Sequence, residues 1–143
     1  MQDNAFKLHY DIDGKNFTIA GQASSHIKKV LKQLGIDPEI IRKVAISMYE
    51  GEINTVIHGH GGTSDVYITH EQIKIVFKDN GPGIKDIDAA MQEGFSTASD
   101  EARELGFGAG MGLPNMKKYS DELNIQSVVG KGTTVELIIN LKK

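Results

Sequence analysis

An α+β fold, with helices packed on one face of a mostly antiparallel (mixed) sheet, is what this sequence predicts. Three observations lead there. Strand-like segments come in pairs joined by tight turns, and helical periodicity falls between the pairs rather than inside them. The glycine-rich stretch from Gly94 to Gly112 has no firm periodicity, and at nearly 20 residues it exceeds an ordinary connection. A stretch of that kind favours a functional lid over an idle loop.

In order, "AFKLHYD" (5–11) and "KNFTIA" (15–20) carry β-branched and aromatic residues around Asp13-Gly14, a good two-residue hairpin turn. From Ser24 the spacing of Ile27, Val30, Leu31 and Leu34 turns helical, and Gly35 supplies a stop. The next helix starts at Asp37-Pro38, with Asp as cap and Pro in the first turn, and runs to His58. "GHGG" then breaks the chain. Two strands follow, Asp65 to Thr69 and Gln72 to Lys78, turning at His70-Glu71. After a short helix from Asp86 to Glu93 and the lid, a helix from Pro114 to Asp121 precedes the strands "LNIQSVV" and "TTVELIINL", hinged at Gly130-Lys131-Gly132. The order is β-β-α-α-β-β-(α)-lid-α-β-β, within a single domain spanning 1–143.

Bulk properties exclude several classes of function. A chain of 143 residues suits one domain with a real core. The net charge of −3 gives no nucleic-acid footprint, because phosphate binding asks for clustered Lys and Arg on one face. Zero cysteines rule out a disulfide framework and thiolate metal sites, as suits a reducing cytosol. The N-terminus has no basic start followed by an apolar core, and no apolar stretch reaches the ~20 residues that span a bilayer. The expectation is a cytoplasmic protein with no membrane partner.

On the long helix, Glu50 and Asn54 are four apart and share a face. Lys43, Ser47 and His58 fall on the same stripe, while Ile40, Ile41, Val44, Ala45 and Met48 make the core side. The stripe is either a solvated helix face or a carboxylate and an amide held toward one ligand. A carboxylate can orient a nucleophile, and an amide oxygen can ligate Mg²⁺. Glu52 sits near the middle of the apolar arc, and is either buried with a partner or part of a contact surface. "DNGPGI" (79–84) ends a strand. It is a strong turn, or else Asp79 accepts from an exocyclic amine while Gly81 and Gly83 let a flat ring approach the backbone. Gly106, Gly108, Gly110 and Gly112 alternate just before a helix, as a hinge or as exposed amides that receive phosphates. No Gly-Lys-Ser/Thr follows, so this is not a P-loop. Thr133 lies in a hairpin turn and can also meet a buried base edge.

Taken together and in this order, "YEGEIN", "DNGPGI", "GFGAGMGLPNM" and "GKGTTV" resemble the N, G1, G2 and G3 boxes of the GHKL ATPase superfamily, whose fold is the Bergerat two-layer sandwich. The four motifs cover residues 49 to 134. Within that superfamily the chain is similar to the small bacterial anti-sigma-factor serine/threonine kinases, including stressosome-associated switch kinases. "INTVIHG", "IDAAMQEGFSTAS", "GLPNMKKYSDEL" and "VGKGTTVEL" carry this narrower likeness. Sensor histidine kinases share the boxes but add a phosphoacceptor helix pair.

The resemblance implies ATP and Mg²⁺ as cofactors. It implies Glu50 as general base, Asn54 as Mg²⁺ ligand and Asp79 as the adenine reader, with Gly81, Gly83 and Ile84 at the base pocket. Gly108, Gly110 and Gly112 match the lid and its phosphate turn, and Thr133 the adenine-side water network. His58, Thr97 and Arg103 flank these motifs as further candidates for nucleotide contact. Two departures stand out: Glu52 occupies a position the family fills with an apolar residue, and "DEAREL" with the extra glycines enriches the lid.

The implied function is a protein kinase that phosphorylates a STAS-domain (anti-anti-sigma type) partner and regulates transcription by partner switching. A sigma factor is a second expected partner, and a homodimer a further expectation. Two alternatives use the same pocket: a nucleotide-gated binding module without significant transfer, and the ATPase part of a split two-component kinase.

Overall fold

A computed structural model of the chain describes residues 6–13, 21–57, 61–81, 83 and 112–141. Strand β1 (Phe6–Asp13) leads to helices α1 (Gln22–Gln33) and α2 (Pro38–Ile57), then to strands β2 (Gly61–Ile68) and β3 (Gln72–Asp79). Helix α3 (Gly112–Tyr119) and strands β4 (Glu122–Val128) and β5 (Gly132–Asn140) complete the described elements. The sheet order among them is β1-β2-β3-β5-β4. Every neighbouring pair is antiparallel, so the described strands contain no parallel member of the expected mixed sheet. Connectivity accounts for two of these pairs: β2–β3 and β4–β5 are hairpins, and a tight turn permits only antiparallel pairing.

Alternation along the strands selects one face for the core. On β2 it buries Ser64, Val66 and Ile68, on β3 Ile73, Ile75 and Phe77, and on β5 Thr133, Val135, Leu137 and Ile139. Against these lie Ile27 and Leu31 of α1, Ile41, Val44, Met48 and Val56 of α2, and Met116 of α3. Each fully buried Leu, Ile, Val, Phe or Met side chain contributes about 1.5–3 kcal/mol over an exposed one. This layer is what fixes α2 over the sheet.

Several boundaries moved. The "GHGG" break is partly strand: Gly61 and Gly62 already pair with Asp13 and Ile12, and Gly62 also with Asp79. Ladder pairing on both sides overrides the low strand preference of glycine. Helix α3 begins at Gly112, two residues before Pro114 and at the last of the alternating glycines. The α2 start is as expected, with Asp37 Oδ1 accepting the Glu39 N–H at 2.8 Å. Residues 15–20, the helix expected at 86–93 and the lid up to residue 111 lie outside the described residues.

One helix position corrects the sequence reading and another decides between its alternatives. Ser47 does not share the environment of Glu50 and Asn54. It is fully buried, and its Oγ has no hydrogen-bond partner among the described residues. The helix is covered on more than one side, by the sheet, α1 and α3, so the inward arc is wider than a one-sided amphipathic stripe. Glu52 resolves the other way, as a buried group with partners. At 4% exposure its Oε2 accepts the Ala23 N–H at 3.3 Å and its Oε1 the Ser24 N–H at 3.2 Å. Those are first-turn amides of α1, whose own N-cap residue, Gly21, supplies no side-chain bond. The N-terminus of a helix carries orphan donors and partial positive charge, and a carboxylate from the neighbouring helix meets both needs.

On the strand side, His9 stands opposite Asp65 in the β1–β2 ladder. Its Nδ1 lies 2.6 Å from Asp65 Oδ1 and its Nε2 3.1 Å from Asp11 Oδ1. Hydrogen bonds to Asp65 and then to Asp11 raise the His9 pKa. A raised folded pKa means that the pair's contribution is fully present below the unfolded value of about 6.5 and fades as pH climbs through the folded value. NMR titration of the His9 ring should therefore give a midpoint above that of an unstructured peptide, and Asp65→Asn should lower it. An unshifted midpoint would mean that the pairing does not form in solution.

Candidate functional site

The ends of three strands converge at Asp79, the last residue of β3. Its Oδ1 accepts the Gly81 N–H at 2.9 Å and the Thr133 N–H at 3.2 Å, so one oxygen is fixed from two directions. No described residue donates to Oδ2. Thr133 is buried beside the start of β5, and its hydroxyl lies 2.9 Å from that of Ser127, its ladder partner on β4.

The backbones here approach so closely that side chains have no room. A Cβ on Gly132 (φ +133°) would overlap the Asp79 carbonyl oxygen, and one on Gly83 (φ +81°) would lie 2.6 Å from the Val128 carbonyl oxygen. Both residues also have left-handed φ values that disfavour other residue types. The result is a bare backbone cradle around the Asp79 carboxylate. Such a surface suits a flat, hydrogen-bonding ring.

Helix α2 brings the second group of residues. Gly51 seats the helix directly against the Phe77 ring, two residues before Asp79 on β3. Glu50 and Asn54 flank this contact, both half-buried. Glu50 Oε2 accepts a hydrogen bond from Asn115 Nδ2 of α3 at 3.0 Å. Beside it, burial first, then the charges of Glu50 and Glu52, raise the pKa of Tyr49. Gly112 is the first residue of α3, placing that helix start and Asn115 at the same end of α2 as Glu50.

The structure thus gathers Asp79, Gly81, Gly83 and Thr133 in one cradle and sets Glu50 and Asn54 on the helix seated at the end of β3. Ile84, His58, Thr97, Arg103, Gly108 and Gly110 lie outside the described residues. Sequence reasoning missed Asn115, Phe77 and Ser127. Asn115 stood inside a quoted motif without a separate signal, and the other two looked like ordinary strand residues, which only the register turns into site neighbours.

Residues 53–143 match the family described as histidine kinase-, DNA gyrase B- and HSP90-like ATPase, well over half of the chain. The chain belongs to this GHKL ATPase family. Asn54, Asp79 and Thr133 fall within the matched stretch, and Glu50 lies just before it. The anti-sigma F factor of Thermoanaerobacter sp. (strain X514) is 34% identical to this GHKL ATPase over 131 residues, covering 85% of this chain and 88% of that protein. The serine/threonine-protein kinase RsbT of Bacillus subtilis (strain 168) is 30% identical over 115 residues, covering 78% of this chain and 80% of RsbT. Among solved structures, that of the RsbU and RsbW domains of a Mycobacterium tuberculosis protein superposes with a TM-score of 0.62 at 18% identity. It covers 96% of this chain, which spans 33% of that one. The likeness therefore lies in the anti-sigma-factor kinase branch, and the expected α+β sandwich is the observed one. No helix among the described residues is long and apolar enough to cross a membrane.

Proposed function

We propose that this GHKL ATPase is a Mg²⁺-ATP-dependent serine/threonine kinase, acting as one catalytic unit over residues 1–143, that phosphorylates a STAS-domain partner of the anti-anti-sigma type. The observation that carries the nucleotide half of this reading is the Asp79 carboxylate. One oxygen is held by two backbone amides and the other accepts from no described residue, beside glycines that admit a flat ring. An acceptor fixed in this way selects the exocyclic amine of adenine. The kinase half rests on the names of the relatives and on Glu50.

In this reading Glu50 orients and accepts the proton of the attacking hydroxyl, and Asn54 offers its amide oxygen to the metal. Among the described residues no cluster of His, Asp or Glu gathers that could hold a metal ion by itself. A single amide oxygen fits Mg²⁺, which keeps several waters and draws other ligands from substrate phosphates. When bound, the ion neutralises phosphate charge; the chain's own part is to align and to exclude water. Gly112, at the start of α3, together with Gly108 and Gly110, is assigned to phosphate contact. A sigma factor and a homodimer complete the proposed assembly, acting in the cytoplasm.

One observation favours a second reading. Glu50 is already bonded to Asn115, a residue of the helix that follows the 94–112 stretch. A base engaged in that way suits a nucleotide-gated binder, in which ligand occupancy is relayed to α3 and transfer is slow.

Two titrations decide. Calorimetry of Mg²⁺-ATP into the wild type and into Asp79→Asn should show affinity falling by about 100-fold in the variant, the scale of losing a charged, pre-oriented acceptor. Retained affinity would remove the adenine-reading role. Glu50→Gln should keep ATP affinity and lose phosphoryl transfer to a STAS-domain protein; if partner release by ATP survives without any transfer in the wild type, the gated binder is the correct description.

A further inference from the structure

A general base works only if it is held, and a glutamate side chain has several rotatable bonds through which it can swing away from a reacting proton. For Glu50 the restraint comes from another helix. Asn115 Nδ2 donates to Glu50 Oε2 at 3.0 Å, between two half-buried side chains. The direction of this bond is fixed by chemistry, because an ionised carboxylate can only accept and the amide must present its N–H.

Asn115 can act as a fixed donor because α3 is itself anchored on α2. The next residue, Met116, is fully buried in the core. One turn further on, Tyr119 places its ring under the guanidinium of Arg42 on α2, 5.6 Å from the ring centroid. Asn115 and Tyr119 are four apart and share a face of α3, so the two bonds to α2 bracket the buried methionine. The amide is therefore carried on a seated helix turn.

We propose that Asn115 is a positioning residue that holds the Glu50 carboxylate in the orientation needed to take the proton of the attacking hydroxyl. The inference rests on the kinase reading given above. Fixing Oε2 from α3 sets the plane of the carboxylate and with it the direction of both oxygens. An oxygen that accepts one hydrogen bond keeps a second lone pair, so the bond orients the base without consuming it. Orientation of a base serves the transfer step and not the binding of nucleotide, so its loss belongs in kcat.

The test compares the wild type with Asn115→Leu, which keeps the branched shape without a donor, and with Asn115→His, whose ring Nδ1–H falls where the amide N–H stood. Transfer to a purified STAS-domain protein of the anti-anti-sigma type gives kcat and the KM for ATP, and calorimetry gives ATP affinity. Asn115→Leu should lower kcat about tenfold, the scale of one charge-assisted hydrogen bond, with KM and ATP affinity unchanged. Asn115→His should recover most of that loss. In NMR spectra of the nucleotide-free protein, the Asn115 side-chain amide should show a downfield, hydrogen-bonded proton that Glu50→Ala removes. An unchanged kcat in Asn115→Leu overturns this inference alone, as does an Asn115 amide indifferent to Glu50→Ala. A loss shared by kcat and ATP affinity that histidine does not restore also overturns it, since that is the mark of a merely structural contact. A higher kcat in Asn115→Leu overturns it too, and shows the bond to be a restraint on the base. A wild type that binds ATP and transfers no phosphoryl group overturns the kinase reading and this inference with it.

Discussion

Glu52→Ala is expected to lower the unfolding free energy by about 3 kcal/mol, the sum of a lost helix cap and the desolvation of amides left without an acceptor. In a domain of this size that is a fall in melting temperature of roughly 10 °C. The size of the effect follows from burial. At the surface, water would replace the carboxylate on the α1 amides, and the loss would be a few tenths of a kcal/mol; at 4% exposure no such replacement is at hand. Burying a carboxylate is itself costly, so an apolar residue in its place is not automatically worse. What decides is that the two α1 donors remain whatever occupies position 52. Glu52→Gln, with one acceptor oxygen, should fall between alanine and wild type. Thermal and urea denaturation of the three proteins measures this order. A Glu52→Ala protein within 1 kcal/mol of wild type would show that α1 finds its cap elsewhere.

That residue also shows where the sequence stopped being legible. Helical spacing placed Glu52 on the apolar arc correctly, but its acceptor role belongs to α1, 29 positions away, and no local pattern connects the two. The same holds for Ser47, assigned to the ligand-facing stripe because periodicity assumes one buried side. The β2–β3 and β4–β5 hairpins and their alternation were readable because they are local, and from them came half of the antiparallel pairings. Strand ends were not, since Gly61 and Gly62 join β2 only through pairing with β1 and β3. For the site, Asp79 and its glycines were readable because a turn at a strand end has a composition of its own. Ser127 was not, because its meaning comes from standing opposite Thr133 across the β4–β5 register. Tertiary neighbours, not residue preference, supply these parts.

Gly51→Ala puts local preference and tertiary seating in direct opposition, and seating is expected to win. In a helix interior, alanine is favoured over glycine by about 0.5–1 kcal/mol. Against that, the added methyl would overlap the Phe77 ring, which is 2% exposed and closed in by the core. Overpacking of this kind costs about 1–3 kcal/mol, so the net change is a destabilisation on the order of 1 kcal/mol. The larger consequence is geometric. The clash is relieved most readily by lifting α2 from β3 at the point that carries Glu50 on one side and Asn54 on the other. A displacement near 1 Å between groups that must align can cost about 100-fold in rate. Phosphoryl transfer in Gly51→Ala should therefore fall far more than stability does, while Gly51→Ala combined with Phe77→Leu, which gives the methyl space, should recover part of the activity. Kinetics and melting curves on the single and double variants measure both. If Gly51→Ala is more stable than wild type and fully active, α2 does not rest on Phe77, and the distance from the Glu50–Asn54 pair to Asp79 is not set by this contact.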